Sequence, residues 1–336
     1  MVRVAVIDIG TVTARLAVAD VDVDAGHVVR LAKQSNIVNL GQDVDRTGML
    51  RQDAMDRLLT CIDGYLAAAR ESNAPVVCCT LTSAARDASN SDALLSQLDA
   101  RGLRAQVIPG EVEGSLTFLG VAQDFVGQRI LVADNGGGST EMAVGSLSDD
   151  GQLHLEWVHS INVGCRRITE KFLSRNDPPT ADDLAEAHRF AAAGFAPWVP
   201  WKGGDALPNA SKEQPSRIVV TGGTATTLVA IHKHLDPYDP RQVHLATLSR
   251  SDVEALETKL AGIKLADRQN IAGLQAKRAP VIVGGTVAVD ELLRQTGFDQ
   301  LTCSESDLLF GMSLVAAATY KDVASPLGWR PELALL

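Results

Sequence analysis

The chain has 336 residues, a formal net charge of −10 and 46% apolar residues. It is long enough for two domains with sizeable cores, and its acidic balance argues against a protein that binds duplex nucleic acid. No window reaches the ~18 uninterrupted apolar residues of a membrane span, and the N-terminus enters a predicted strand instead of a signal peptide. We therefore expect a cytoplasmic protein that does not engage a membrane.

Five cysteines are spread along the chain without the spacing of a zinc site: Cys61, Cys78, Cys79, Cys165 and Cys303. Their odd number and their spacing argue against a disulfide framework. We expect reduced thiols that pack as small buried hydrophobes in a reducing compartment.

The first third of the chain alternates between strand and helix signals. An apolar strand runs into Asp8, a Gly/Thr turn follows, and a second apolar strand begins near Arg15. The patterns then predict, in chain order, a helix at Gln52–Glu71, a strand at 74–82, a helix start within Thr82–Asp87, a helix near Asp92–Arg101, a strand at 105–110 and a helix opened by Glu111 and Glu113. This order is typical of an α/β domain, which we place at residues 1–125.

A second α/β domain is predicted over residues 126–336. It opens with a strand from Arg129 that runs into Asp134, and a second strand follows Glu141. Residues 198–216 are rich in Pro, Gly and Lys, which indicates a long surface loop.

The segments Asp8–Arg15 and Asp134–Glu141 share one pattern, in which Asp-x-Gly and a Gly/Ser/Thr turn join two apolar strands. The two aspartates lie 126 positions apart, which suggests a duplicated half-fold. Glycines let a backbone approach a phosphate, hydroxyls add donors, and a carboxylate can hold a magnesium ion that bridges to phosphoryl oxygens. An ordinary hairpin turn is the alternative. We favour it for Asp8 taken alone, whereas the three glycines Gly136–Gly138 favour anion binding.

Two more predicted strand ends run into glycine pairs at the start of a helix, Thr221–Thr224 and Gly284–Thr286. A helix N-terminus after a strand is suited to an anion, and a tight packing turn is the alternative. For Gly222, Gly223 and Thr224 we favour phosphate binding, whereas both interpretations stay open for Gly284–Thr286.

Basic residues cluster at three places: Arg101 with Arg104, Arg166 with Arg167 and Lys171, and Lys277 with Arg278. Such clusters are more often solvated faces than binding tracks. We interpret all three as solvated faces.

Several motifs together resemble the Ppx/GppA family of exopolyphosphatases and guanosine pentaphosphate phosphohydrolases. In chain order they are DIGTVTARL, TSAARDA, GEVEGSLTFLG, DNGGGSTE, TGGTATTL and RAPVIVGG, and the match runs from residue 2 to about residue 318. The resemblance implies an α/β fold of the actin/Hsp70/sugar-kinase superfamily, with two RNase H-like domains and the site in an interdomain cleft. It also implies a homodimer.

The resemblance assigns Glu113 to the position of the family's catalytic glutamate, with Val112 in place of the acid that usually precedes it. A carboxylate there can accept a proton from the water that attacks a terminal phosphoryl group. Arg86 stands where the family has an arginine suited to a phosphoryl oxygen. The alternatives are an ordinary acid in the first turn of a helix for Glu113 and an ordinary arginine at a helix start for Arg86.

The same resemblance assigns Asp134, Glu141 and Asp8 to the magnesium (or manganese) side of the site. The resemblance also implies that phosphate is held by Gly222, Gly223 and Thr224. It implies the same role for the two Asp-x-Gly turns and for the arginine after the first of them, which together are Gly10, Thr11, Arg15, Gly136, Gly137, Gly138 and Ser139.

The chain departs from the family pattern at two places. Val12 replaces an amide side chain of the usual first turn, and Leu309 and Phe310 replace an Arg-Glu pair near the C-terminus. Long family members also append helical domains, whereas this sequence has 336 residues. With a short, acidic chain we expect a preference for short polyphosphate and salt-sensitive, distributive action.

We therefore expect a magnesium-dependent exopolyphosphatase that releases orthophosphate from the end of polyphosphate. The nearest alternative removes the terminal phosphate of pppGpp or of a nucleoside triphosphate. The superfamily also contains small-molecule kinases, although fold alone does not decide function. A phosphate or nucleotide sensor without catalysis is the third alternative, motivated by the altered first turn and the lost Arg-Glu pair.

Overall fold

A computed structural model describes residues 1–336, which divide into two compact units. Unit 1 comprises Met1–Gly127, Ser146–His154 and Ser306–Leu336. Unit 2 comprises Gln128–Gly145 and Leu155–Glu305. The first boundary lies close to the predicted one, but the C-terminal segment differs from the prediction because it joins unit 1.

The elements up to residue 127 are, in chain order, β1 (Val2–Ile9), β2 (Thr13–Asp22), β3 (His27–Ile37), α1 (Val44–Thr47), α2 (Gln52–Glu71), β4 (Val76–Leu81), α3 (Ser83–Asp87), α4 (Ser91–Asp99), β5 (Ala105–Val107) and α5 (Gly110–Ala122). The remaining strands and α-helices are β6 (Ile130–Asn135), β7 (Thr140–Leu147), β8 (Leu153–Ile161), α6 (Cys165–Ile168), α7 (Ala181–Phe195), β9 (Ile218–Thr221), α8 (Gly223–His232), α9 (Pro240–Val243), β10 (Thr247–Ser249), α10 (Arg250–Ala261), α11 (Leu265–Arg268), α12 (Ile282–Thr296), β11 (Gln300–Cys303), α13 (Leu308–Tyr320) and β12 (Leu333–Leu335). A π-helical turn at Thr169–Leu173 and 3₁₀ turns at Ala196–Trp198, Pro200–Lys202 and Ala276–Arg278 complete the chain.

The sheets of the two units share the order of five strands, β5-β4-β1-β2-β3 in unit 1 and β11-β9-β6-β7-β8 in unit 2. In unit 1 the order is β12-β4-β1-β2-β3 with β5 also beside β4, and in unit 2 it is β10-β11-β9-β6-β7-β8. Each unit opens with an antiparallel hairpin, β1–β2 or β6–β7, and a parallel strand lies on the other side of the first strand. The predicted duplication of an RNase H-like half-fold is therefore confirmed.

Alternation along β1 fixes which side chains face which layer of unit 1. Ile7 and Ile9 belong to the core that contains the apolar face of α2, and Val4 and Val6 belong to the core that contains α5 and α13. Since successive side chains of a strand point to opposite faces, Asp8 continues the series of Val4 and Val6. The sheet therefore presents Asp8 on its α13 face.

The C-terminal segment returns to unit 1 because it adds both a strand and a helix to that sheet. β12 pairs with β4 in antiparallel register, and α13 packs on β1 and against α5. The two helices approach so closely that a Cβ on Gly311 would lie 1.9 Å from the carbonyl oxygen of Leu116. Only glycine fits at such a crossing.

The glycine pair Gly284–Gly285 does not form a strand-to-helix turn, so that interpretation is wrong. Both residues lie in the first turns of α12, where a Cβ on Gly285 would meet Thr224 Oγ1 at 2.4 Å. Every residue of Ile282–Leu293 is buried. A helix that is buried on all sides shows no 3.6-residue period of apolar residues, so its sequence resembles that of a buried strand. These two glycines therefore serve close packing and not the binding of an anion at a turn.

All five cysteines are free thiols, as predicted, and all but the half-buried Cys61 are buried. Burial raises the pKa of Cys78 to about 12, which suits an unreactive core residue. None of the helices combines the length and the apolar composition that crossing a bilayer requires.

Candidate active site

The carboxylate of Asp8 lies in a row of three residues across the sheet of unit 1. Its register partners are Arg15 on β2 and Thr80 on β4. Arg15 donates to Asp8 Oδ2 from Nε at 2.9 Å and from Nη2 at 2.8 Å. The other oxygen, Oδ1, is buried and has no hydrogen-bond partner.

The corresponding row in unit 2 has a different charge. Asp134 on β6 has the register partners Glu141 on β7 and Thr221 on β9. Asp134 and Glu141 are 7% and 3% exposed. The position of Arg15 in unit 1 is thus taken by an acid in unit 2, so this row places two buried carboxylates opposite each other. Two such acids together favour a bound cation.

Asp307, just before α13, extends the network around Asp8. Its Oδ2 accepts from Arg15 Nη1 at 2.9 Å and from Lys33 Nζ at 3.0 Å, and its Oδ1 caps α13 through the N–H of Leu309. Burial acts to raise the pKa of Asp307, but Lys33 and Arg15 outweigh it and hold the pKa below its usual value. Burial dominates for Asp8 and raises its pKa, although Arg15 acts in the opposite direction.

Arg86 and Glu113 come together in unit 1 although they are far apart in sequence. Arg86 lies in α3, directly after β4, and Glu113 lies in the first turns of α5. Arg86 Nη1 donates to Glu113 Oε2 at 2.6 Å and to the carbonyl oxygen of Ile108 at 3.1 Å. The Glu113 side chain is 10% exposed. The buried carboxylate is thus held in one orientation by a charge-assisted hydrogen bond.

The turn after Asp134 is held by the segment that follows β8. The carbonyls of Gly136 and Gly137 accept from the N–H groups of Cys165 and Arg166, at 3.0 and 2.9 Å. The carbonyl of Gly138 accepts from the Arg167 side chain at 2.7 Å. Because C=O and N–H point in opposite directions across a planar trans peptide, the N–H groups of the three following residues point away from this segment. Consecutive N–H groups of this kind form a concavity for an anion.

The turn after Asp8 is built in the same way. The Gly10 N–H donates to the carbonyl of Thr13 at 2.8 Å, just as the N–H of the first glycine in the unit 2 turn donates to Ser139. The carbonyl of Thr11 accepts from the N–H of Gly41 at 2.8 Å, and that of Val12 accepts from two N–H groups of the loop after β3. The Val12 side chain that replaces the family's amide is 5% exposed.

Ser139 and Glu141 are joined in unit 2. Glu141 Oε1 accepts from Ser139 Oγ at 2.7 Å and from Ser160 Oγ at 2.6 Å. Ser139 therefore orients a predicted metal ligand through its hydroxyl, besides its backbone position in the turn.

The predicted turn Gly222–Thr224 lies where β9 ends and α8 begins. Gly222 has φ +96°, and a Cβ on it would lie 2.7 Å from Asp134 Oδ1. A Cβ on Gly223 would lie 1.8 Å from Arg278 Nη1. These glycines are therefore required by the close approach of a carboxylate and a guanidinium to the N-terminus of α8.

Sequence reasoning missed two groups of residues. Lys33 and Asp307 join the Asp8 network across long sequence separations, for which no local pattern gives a signal. Arg166 and Arg278 were interpreted as solvated, but the Arg166 side chain is only 11% exposed and Arg278 packs on the turn of α8. For Arg278 the available signal was its position at the start of the motif RAPVIVGG.

The residues present fit a divalent cation of the magnesium type. Mg²⁺ is usually held by one or two carboxylates and by substrate phosphates, and the Asp134 and Glu141 row supplies two buried carboxylates. In unit 1 the buried, unpartnered Oδ1 of Asp8 is one further oxygen of the kind that a cation satisfies.

Comparison with known proteins gives one consistent family. A model of the Ppx/GppA phosphatase family matches residues 20–314. The chain is 34% identical over 331 residues to Exopolyphosphatase 2 of Mycobacterium tuberculosis (strain ATCC 25618 / H37Rv), an alignment that covers 94% of this chain and 99% of that protein.

Solved structures agree with this assignment. An exopolyphosphatase from Cytophaga hutchinsonii ATCC 33406 is similar with a TM-score of 0.78 and 26% identity, over 96% of this chain and 98% of that one. A Ppx/GppA family member from Aquifex aeolicus is similar with a TM-score of 0.75 and 27% identity, over 96% of this chain and 98% of that one. The predicted α/β fold class is confirmed.

Proposed function

Because the chain belongs to the Ppx/GppA phosphatase family, we propose that it is an exopolyphosphatase, a hydrolase that removes the terminal phosphate of inorganic polyphosphate and releases orthophosphate. The observation that carries the proposal is the buried carboxylate of Glu113, which Arg86 holds at 2.6 Å. Hydrolysis of a phosphoanhydride needs little covalent work from the protein beyond positioning, charge neutralisation and a base for water.

Glu113 is the general base in this proposal. Its carboxylate is fixed by the guanidinium of Arg86 and lies near the N-terminus of α5, where the helix dipole favours negative charge. An ionised, oriented carboxylate accepts the proton of a water molecule as that water attacks the terminal phosphorus. The phosphoanhydride bond breaks, and the leaving oxygen keeps the bond's electron pair.

Arg86 acts first as a positioning residue for Glu113. Its Nη1 joins Glu113 to the Ile108 carbonyl, which ties the base to the end of β5. The predicted contact between Arg86 and a phosphoryl oxygen stays a prediction.

Asp134 and Glu141 of unit 2 are the proposed ligands of Mg²⁺ or Mn²⁺, and the role of Asp8 of unit 1 as a ligand stays a prediction from the family resemblance. The ion, when bound, neutralises charge on the phosphoryl oxygens. Ser139 and Ser160 hold Glu141 in place, and the close approach of Gly222 fixes the position of Asp134.

The phosphate chain is proposed to lie against the backbone N–H groups of Gly137–Ser139 and of the turn at Gly222–Thr224 in unit 2, and the phosphate contact of the turn at Gly10–Thr11 in unit 1 stays a prediction. The direction of the peptide planes at Gly136–Gly138 supports this role, because three successive N–H groups point away from the segment that holds their carbonyls. Arg15 is engaged by Asp8 and Asp307. If Arg15 contacts phosphate, it does so either while it still binds Asp8 and Asp307 or after it has released one of them.

The experiment is a substrate panel with magnesium, in which orthophosphate release is measured from short polyphosphate, long polyphosphate, pppGpp and ATP. The proposal expects the highest kcat/KM on short polyphosphate and a decrease as salt is raised. A higher kcat/KM on pppGpp or ATP would establish the alternative phosphohydrolase. Binding without release from any of them would establish a sensor. The expected homodimer and cytoplasmic location stay predictions.

A further inference from the structure

We propose that His188, Asp290 and Glu291 in unit 2 bind a divalent transition-metal ion of the Zn²⁺ type, at a site distinct from the residues assigned to hydrolysis. His188 lies on α7, and the two acids are neighbours on α12. One imidazole nitrogen with two carboxylates is a donor set that Zn²⁺ and similar ions accept.

The ligand atoms already converge. One atom of each of the three residues lies within 4.8 Å of the others. His188 Nδ1 is 2.8 Å from Glu291 Oε1 and 3.9 Å from Asp290 Oδ2. Zn–N and Zn–O distances of about 2.0–2.2 Å put tetrahedral ligands roughly 3.3 Å apart. The site therefore forms if the imidazole and the Glu291 carboxylate separate by about half an ångström and the Asp290 carboxylate moves inward by about as much.

A buried oxygen points to a missing ligand at this cluster. The Asp290 side chain is 2% exposed, and its Oδ1 has no hydrogen-bond partner. Its Oδ2 accepts from Arg294 Nε at 2.8 Å, so one oxygen of the same carboxylate is satisfied and the other is not. An unsatisfied buried carboxylate oxygen costs free energy, and burial raises the pKa of Asp290 accordingly. The Asp290 oxygen at 3.9 Å from the imidazole is Oδ2, so Oδ1 ligates a cation here after the carboxylate turns, and that ligation removes the cost.

The surrounding residues orient the ligands by hydrogen bonds, as the neighbours of metal-binding side chains commonly do. His188 Nε2 lies 2.8 Å from Glu257 Oε1, on α10. A carboxylate that accepts the Nε2 proton leaves Nδ1 as the metal-binding nitrogen, because it fixes the tautomer of the ring. Gln295 Nε2 donates to Glu291 Oε2 at 2.9 Å, which leaves Oε1 turned to the imidazole. The ion would thus join α7 and α12, with α10 holding the imidazole.

A proton is the competitor for the same nitrogen. Glu257 and Glu291 raise the pKa of His188 to about 10, although burial acts in the opposite direction. The charged groups facing the ring come from α10 and α12: Glu254, Glu257, Asp290, Glu291 and Arg294. Their net charge is negative, and the same negative potential attracts a metal ion.

The test uses the full chain, stripped with a chelator and titrated calorimetrically with Zn²⁺ at pH 8 in two buffers of different ionisation enthalpy. His188→Gln and Glu291→Gln remove ligands while preserving size, and Glu254→Gln is the matched control because it neutralises an acid of the same layer that is not a ligand. All the variants keep Asp8, Asp134 and Glu141. Any ion that these residues bind therefore contributes equally to every titration and does not affect the difference between the variants.

The proposal expects the native chain and Glu254→Gln to bind one more ion per chain than the two ligand variants, or to bind it at least tenfold more tightly. Equal stoichiometry and affinity in all four proteins would overturn it. Circular dichroism identifies a variant that does not fold, and the other ligand variant then decides.

Discussion

Arg86 and Glu113 are joined by a hydrogen bond of 2.6 Å that ties the start of α5 to the end of β4 through one guanidinium. The same nitrogen donates to Ile108, the residue after β5. The proposed base therefore depends on a contact made by a second side chain, and the planar shape of arginine matters as well as its charge.

Replacing Arg86 by lysine is expected to lower kcat more than it raises KM. A lysine keeps the charge, but its tetrahedral ammonium replaces the two in-plane N–H groups of Nη1 that reach Glu113 and the Ile108 carbonyl, and a small displacement of a catalytic group can cost about 10²-fold. Arg101→Lys is the control, because Arg101 makes a 2.8 Å ion pair with the exposed Asp63. Steady-state kinetics on short polyphosphate check this, and an unchanged kcat in Arg86→Lys would show that the ion pair does not position the base.

Alanine at Gly222 is expected to destabilise unit 2 and weaken magnesium-dependent activity. The position has φ +96°, and the new Cβ would lie 2.7 Å from Asp134 Oδ1. The backbone strain alone costs about 1–2 kcal/mol. Gly64→Ala is the matched control, since Gly64 lies within α2 with nothing near its missing Cβ, and there alanine should stabilise by about 0.5–1 kcal/mol. Urea denaturation measures both changes; equal stability of the two variants would contradict the argument.

The metal-free protein should lose stability as pH rises from about 6.5 to about 10. The pKa of His188 is raised from 6.5 to about 10 in the folded chain, so its contribution is complete below pH 6.5 and is lost as pH approaches the folded value. Urea denaturation in EDTA at several pH values measures the free energy of unfolding. His188→Gln should show a smaller decrease over this range, and parallel curves for the two proteins would refute the assignment.

Glu141→Gln is expected to raise the magnesium concentration needed for half-maximal activity by about 10–100-fold. The amide keeps an acceptor for Ser139 and Ser160 but removes the charge opposite Asp134, which is one of the two carboxylates of the row. Asp149→Asn, in the exposed loop between β7 and β8, is the control. A magnesium requirement that is the same in native protein and Glu141→Gln would place the ion elsewhere.

Those parts of the site were predictable that depend on the alternation of side chains along a strand and on glycines in the turn after it. Asp8 and Asp134 end apolar strands and precede glycine turns, so their register positions could be expected from the repeated pattern alone. Helix α2 spans Gln52–Glu71 as predicted, because its apolar stripe faces one core and its other face is exposed.

The remaining parts depend on contacts between distant segments. Asp307 reaches Arg15 across 292 positions, and nothing near Asp307 in sequence indicates that partner. The return of α13 and β12 to the first sheet likewise has no local signal, which is why the predicted second domain ran to residue 336. Helix α12 was misread at Gly284 because its first half is buried on every side.

The most direct measurement is the turnover number for short polyphosphate of the native chain, Glu113→Gln and Glu111→Gln, with saturating magnesium. Both glutamates lie in the first turn of α5, but Glu113 is buried and Glu111 is exposed. The account predicts that Glu113→Gln loses about 10²–10⁴-fold in kcat and that Glu111→Gln turns over like the native chain. Comparable turnover in all three proteins would contradict the assignment of Glu113 as the base.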